Sequence, residues 1–258
     1  MTHAVRIPLA TLWSDPSHRT AANVVTQALL GDAAEIQEER ADGWARVALP
    51  GQDGDGGWLP MAQLAPLGDD GGQPVSTVDA LGTDLRDEPG GTLAMPGVPL
   101  GTRLVAAGAP RDGWLPVRIP GAAEPLWVAQ SDVRTDAADP VATARRLLGV
   151  VYVWGGLSPG GIDCSGLVHL AWRCAGMRLP REARDQAAAA ESLAPGEERA
   201  GDLYFFALPG ARIHHVGIVV EPGVMLHASG EARIVVEEPV PPDLAVILTG
   251  AGRPKAAG

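Results

Sequence analysis

Apolar positions in the first half of the chain come in short runs, each cut off by glycine, proline or aspartate. "DGWARVALP" (42–50) is followed by "GWLPMAQLAPL" (57–67), and "DGWLPVRIP" (112–120) is followed by "LWVAQSDV" (126–133). Trp44 thus corresponds to Trp114 and Trp58 to Trp127. Each block also has an upstream glycine ahead of a β-rich run, in "LLGDAAEIQEE" and "PLGTRLVAAG". Runs this short, with turn signals about every 8–12 residues, predict two small all-β barrels. The four tryptophans read as barrel core and rim rather than as ligand contacts. The second half changes period. An apolar helical run over 165–176 precedes a loop and a short helix in "LPREARDQAAAAESL". Then "GDLYFFAL", "HHVGIVVE", "VMLHAS" and "ARIVVEE" read as successive strands, rich in β-branched and aromatic residues. Tight turns such as "EPG" predict an antiparallel meander, so the third block is α+β.

Two junctions separate the blocks. Residues 67–77 are polar and glycine-rich, and 134–140 form a second linker. Asp139 then Pro140 supplies an N-cap and a proline at the first helical position, predicting a helix over 140–148 that Gly149 ends. The expected domains are therefore 1–68, 75–135 and 138–253.

Composition narrows the partners. The chain has 258 residues, 46% of them hydrophobic, and its 33 glycines and 23 prolines suit short strands and turns. A net charge of -11 disfavours nucleic acid and membrane surfaces as partners. The N-terminal segment lacks a basic stretch followed by an apolar core, and no apolar run reaches the roughly 18 residues of a membrane span. Cys164 and Cys174 fall on one helix about 15 Å apart, too far for a disulfide. A soluble, reduced, cytoplasmic protein is expected. No zinc spacing and no phosphate loop is present, so no metal and no cofactor is expected.

One short stretch carries chemistry. In "YVWGGLSPGGIDCSGLVHLAWRCAG" (152–176), Cys164 stands at a helix start, where backbone N–H groups and the helix dipole are expected to lower a thiol pKa. Its own N–H can point at a developing oxyanion. Gly155, Gly156, Gly160 and Gly161 are expected to let a substrate backbone come close. A cysteine nucleophile also needs a base and a group that orients it. His169 is about 140° around the helix from Cys164 and faces elsewhere. Of His214 and His215 only one can face the cysteine, because neighbours on a strand point to opposite faces. His227, in the next strand, can pair laterally with it.

Taken together, "YVWGGLSPGGIDCSGLV", "GDLYFF", "HVGIVV" and "MLHAS" resemble the NlpC/P60 family of cell-wall cysteine peptidases, over nearly the whole third block. The two upstream blocks resemble bacterial SH3 (SH3b) domains, the first through "SDPSHRTAANVVTQALLGD" and "DGWARV…GWLP", the second less closely. The resemblance implies a papain-like catalytic fold with Cys164 as nucleophile, His215 as base, His227 as the orienting residue and Tyr152 assisting at the oxyanion. His214 and Cys174 are then surface and helix-face residues. The three-block architecture further resembles γ-D-glutamyl-L-diamino acid endopeptidases, which recycle murein tripeptides or tetrapeptides with a free N-terminal L-Ala. That resemblance implies that Asp163 holds the substrate ammonium, with Ser165 and Trp154 in the same pocket. Arg181 meets either a substrate carboxylate or a structural ion-pair partner. Asp32 is the implied acidic residue closing the pocket through contacts between the SH3b and catalytic domains, although "DGDGGW" lacks the aromatic residue usual before Trp58. Rival readings are a secreted hydrolase of intact wall anchored by its SH3b pair, an inactive wall-peptide binding module, and an acyltransferase or amidase on the same fold.

Overall fold

The computed structural model describes residues 2–54, 56–68 and 75–255. They fall into two compact units divided between Ala137 and Ala138. In the first unit, β1 (Thr2–Val5), β2 (Leu9–Trp13), β3 (Val24–Leu29), β4 (Ala33–Glu39), β5 (Trp44–Ala48), β6 (Gly56–Pro60) and β7 (Leu64–Pro66) form one antiparallel sheet. Its spatial order is β3-β2-β6-β5-β4-β1-β7. A second sheet holds β8 (Val75–Val78), β9 (Gly82–Arg86), β10 (Leu93–Pro99), β11 (Arg103–Ala106), β12 (Trp114–Arg118), β13 (Leu126–Ala129) and β14 (Val133–Arg134). Its order is β10-β9-β13-β12-β11-β8-β14, the first order with seven added to every label. The echo in the sequence is therefore one topology written twice. The expected linker at 67–77 lies largely outside the described residues.

Period-two alternation builds both cores. Val5, Leu12, Val47, Leu59 and Leu64 fill the first, and Val78, Leu85, Val98, Leu104 and Val128 the second. Each fully buried Leu or Val contributes about 1.5–3 kcal/mol. Leu30, from the turn after β3, packs into the second core and ties the two sheets together. The tryptophans are half-buried, and each is covered by a guanidinium of its own unit. Arg19 lies 5.7 Å from the Trp44 ring centroid and Arg40 5.7 Å from Trp58. Arg86 lies 5.9 Å from Trp114 and Arg111 5.0 Å from Trp127.

The second unit opens with α1 (Pro140–Arg145), capped by Asp139, whose side chain accepts the Ala142 N–H at 2.6 Å. The helix ends three residues before the expected Leu148, because Leu147 and Leu148 close back on the preceding carbonyls in turns. A small hairpin, β15 (Leu157–Ser158) and β16 (Gly161–Ile162), leads into α2 (Cys164–Cys174), then α3 (Ala183–Ala189). Only Arg173 of α2 is not buried, so this helix is the core of the unit and not an amphipathic cover. The strands are β17 (Glu191–Ser192), β18 (Leu203–Phe206), β19 (His215–Glu221), β20 (Val224–Ala228), β21 (Val235–Pro239) and β22 (Leu248–Arg253), with α4 (Pro242–Ala245) before the last. Their order is β17-β22-β18-β19-β20-β21. The meander is β18 to β21. The chain then returns through α4 so that β22 covers the open edge of β18, an edge that a meander alone would leave unpaired.

Candidate active site

The cysteine helix begins one residue before the predicted start, at Cys164 itself. Asp163 is the N-cap, accepting the Gly166 N–H at 2.7 Å. Its carboxylate does much more. Arg181 donates from Nη1 to Oδ1 at 2.9 Å and from Nη2 to Oδ2 at 2.8 Å. Gly155 N–H donates to Oδ2 at 2.8 Å and the Ser165 hydroxyl to Oδ1 at 3.3 Å. A carboxylate offers about four lone-pair sites, and five donors converge on this one. The structure thus gives Asp163 two internal roles, N-cap of α2 and ion-pair partner of Arg181. That side chain is 1% exposed and lies in a structural ion pair, with further bonds to Ser165 Oγ at 2.9 Å and the Gly156 carbonyl at 3.2 Å. Ser165 belongs to the same buried cluster, whereas Trp154 is 58% exposed.

The glycines have internal reasons. A Cβ on Gly166 would collide with the Gly156 carbonyl oxygen and stand 2.9 Å from Asp163 Oδ1. One on Gly156 would meet the Gly161 carbonyl carbon at 2.8 Å, and one on Gly161 the Val153 Cβ at 2.9 Å. Gly155 has φ +71°, a left-handed conformation that suits glycine. The close approaches expected for a substrate are, at Gly156 and Gly161, made by the loop to itself. Gly166→Ala should therefore cost about 1–3 kcal/mol by overpacking and lower the denaturant midpoint without changing the slope. A midpoint equal to wild type would show that the loop yields freely.

Cys164 is 6% exposed, and the backbone N–H groups of Val216 and Ser165 favour its thiolate. Val216 is the residue after His215, the base candidate. Burial, helped by the nearby Asp163 charge, pushes this thiol up to about 12. The dipole argument predicted the opposite sign. Desolvation of an anion in a fully packed helix start outweighs the partial charges there. Burial likewise pushes His215 down to about 3, with His227 and His214 adding to the effect. Both shifts favour an uncharged thiol and imidazole over an ion pair.

His215 Nε2 lies 2.8 Å from His227 Nδ1, with the ring planes 77° apart. Phe206, its neighbour across the strand pair, packs on the His215 ring at 5.6 Å between centroids. His227 is 2% exposed, and burial depresses its pKa against the pull of Glu238, whose Oε1 lies 3.1 Å from its Nε2. Tyr152 is half-buried beneath the Arg233 guanidinium, 5.6 Å from its ring. Burial raises its hydroxyl pKa, with Cys164 and Asp163 contributing, so the group remains a donor. His214 is exposed, and His169 turns away to the Leu179 carbonyl at 2.8 Å. Cys174 is buried and in no disulfide. Asp32 lies in the first unit, where its carboxylate accepts the Leu29 N–H at 2.9 Å across the turn after β3. Glu238 is the residue that sequence reasoning passed over. Its signal was the period-two pattern of "VVEEP", in which one of two glutamates must share a face with the histidines.

Residues 149–243 match the NlpC/P60 family, and residues 16–64 match the bacterial dipeptidyl-peptidase Sh3 domain. The chain carries an NlpC/P60 domain and a bacterial SH3 domain. More particularly, it is 41% identical over 103 residues to the gamma-D-glutamyl-L-lysine dipeptidyl-peptidase of Bacillus subtilis strain 168, covering 39% of this chain and 35% of that protein. To the protein of the same name from Bacillus cereus ATCC 10987 it is 34% identical over 110 residues, covering 42% of this chain and 33% of the relative. The matched region thus spans about a third of the length of these relatives. A crystal structure of an NlpC/P60 family protein from Bacillus cereus ATCC 10987 superposes with a TM-score of 0.88 at 23% identity, over 98% of this chain and 99% of that one. At that identity the likeness is one of fold.

Proposed function

We propose that the chain is a cysteine endopeptidase that cleaves the bond between γ-D-glutamate and an L-diamino acid in murein peptides. The observation that carries this reading is the buried thiol at a helix start, influenced by the N–H of Val216, the residue after His215, whose imidazole is itself held by a second imidazole. In this reading His215 takes the thiol proton as the sulfur attacks the γ-carbonyl carbon. The Cys164 N–H and the Tyr152 hydroxyl meet the oxyanion. The imidazolium then protonates the leaving α-amine, and the C–N bond breaks to give a thioester. Water, deprotonated by His215, attacks that carbonyl and frees the thiol. His227 keeps the base in place throughout. Residues 138–253 would form the catalytic domain. The second seven-stranded sheet, residues 75–135, would be an SH3b domain like the first, 1–68.

The relatives' name, dipeptidyl-peptidase, supports a substrate whose scissile bond lies two residues from a free amine. L-Ala-γ-D-Glu-diaminopimelate, a peptide of cytoplasmic wall recycling, has that form, as does its lysine counterpart. The purified protein should release L-Ala-D-Glu from this tripeptide and cleave the N-acetylated form at least about 100-fold more slowly, the cost of burying an unpaired polar site. Equal cleavage of both would point to a hydrolase of intact wall. Cleavage of neither would remove the peptidase reading.

A further inference from the structure

β19, β20 and β21 carry a diagonal of polar side chains: His215, His227 and Glu238. His227 stands opposite Val236, so Glu238, two residues further along β21, shares its face of the sheet. A Cβ on Gly217 would meet the Met225 Sδ at 2.7 Å, so glycine at this position makes room for that side chain beside His227. The bonds run on without a break, 2.8 Å from His215 Nε2 to His227 Nδ1 and 3.1 Å from His227 Nε2 to Glu238 Oε1. β21 is itself tied to α1, because Arg145 donates to Glu237 from Nε at 2.8 Å and from Nη2 at 3.0 Å.

We infer that Glu238 is a positioning residue that sets the proton positions on both imidazoles, leaving Nδ1 of His215 bare for the Cys164 thiol. An ionised carboxylate only accepts, so the nitrogen facing it, His227 Nε2, carries the proton. A neutral His227 then has a lone pair on Nδ1, and His215 must donate from Nε2. That leaves His215 Nδ1 as the acceptor, the ring nitrogen nearest the backbone, and the very next N–H, that of Val216, is one that favours the Cys164 thiolate. No proton needs to reach Glu238. The proton that His215 takes and gives back stays on that ring. Two other titratable groups face this pair: Asp243 of α4 acts on His227, and His214 on His215. Neither is shown bonded to a ring nitrogen, so Glu238 is the group that can choose between tautomers.

The inference rests on the reading of His215 as the base. It is tested on the full chain with Glu238→Leu and Glu238→Gln, by nitrogen-15 NMR of the histidine rings and by tripeptide turnover. In the wild type both histidines should carry their proton on Nε2. In Glu238→Leu, His227 should populate the Nδ1–H form, the His215 ring nitrogens should shift with it, and kcat should fall about 10- to 100-fold with KM little changed. Because Glu238 is half-exposed, this is less than an orienting carboxylate in a sealed triad supplies. Glu238→Gln keeps an acceptor oxygen and should recover most of the loss. An unchanged ring-nitrogen pattern in Glu238→Leu, or a kcat within about twofold of wild type, overturns the inference. If the wild-type protein cleaves no tripeptide, the peptidase reading fails, and the ring nitrogens alone still decide the role of Glu238.

Discussion

Cys164→Ala should abolish peptide turnover, a drop of roughly 10⁵-fold or more in kcat, while the fold is kept. The sharper part of this result concerns pH. With the thiol pushed up to about 12, only about one molecule in 10⁵ carries a thiolate at pH 7. Alkylation by iodoacetamide, which requires the thiolate, should therefore be slow and rise about tenfold for each pH unit from 7 toward 11. The alanine variant assigns the signal, since Cys174 is the other thiol. Turnover should not share that slope. His215, depressed to about 3, remains an unprotonated base down to strong acid and removes the thiol proton during attack. The plot of kcat/KM should be flat from about pH 5 to 8 and fall only as the pH approaches the His215 value. A turnover profile that climbed in parallel with alkylation would mean that a preformed thiolate, and not base-assisted attack, does the chemistry.

Arg181→Met should be the most destabilising single substitution of the second unit. It removes the partner of the Asp163 carboxylate, which is 6% exposed, and leaves that charge buried beside a packed helix start. Breaking one side of a buried ion pair costs about 3–5 kcal/mol, a large part of the roughly 5–15 kcal/mol that holds a domain together. The corresponding fall in Tm is about 10 °C or more. The double variant with Asp163→Asn should recover part of it, because asparagine still caps a helix and brings no charge to strand. Loss of less than about 1 kcal/mol in the single variant would show that water reaches Asp163 and solvates it.

These two residues mark where the sequence was readable and where it was not. Cys164 and His227 were legible as candidates because each is announced locally, by a helix start after a glycine-rich loop or by place along a strand, whereas alternation left His214 and His215 open and the family resemblance chose His215. The sign of the thiol shift was not legible, because a helix start says nothing about how completely its first turn is packed. Arg181 lies 18 residues from Asp163, and no spacing rule joins the two. The ion pair within the chain was consequently invisible from the sequence. Glu238 needed the register between β20 and β21, which turn length alone does not set. The return of β22 to the edge of β18 was missed for a related reason. Its glycines, Gly250 and Gly252, weaken the strand signal, and Gly252 is there because a Cβ would meet the Ala190 Cβ at 2.8 Å.

The repeated Arg–Trp stacks of the first unit bear on carbohydrate. A sugar ring binds a protein by laying its C–H face on a flat aromatic platform. In both halves of that unit a guanidinium already lies over the indole, at 5.0 to 5.9 Å from the ring centroid. A glycan strand would have to displace a cation from a favourable seat before gaining its own. These four tryptophans consequently make a poorer lectin surface than bare indoles would.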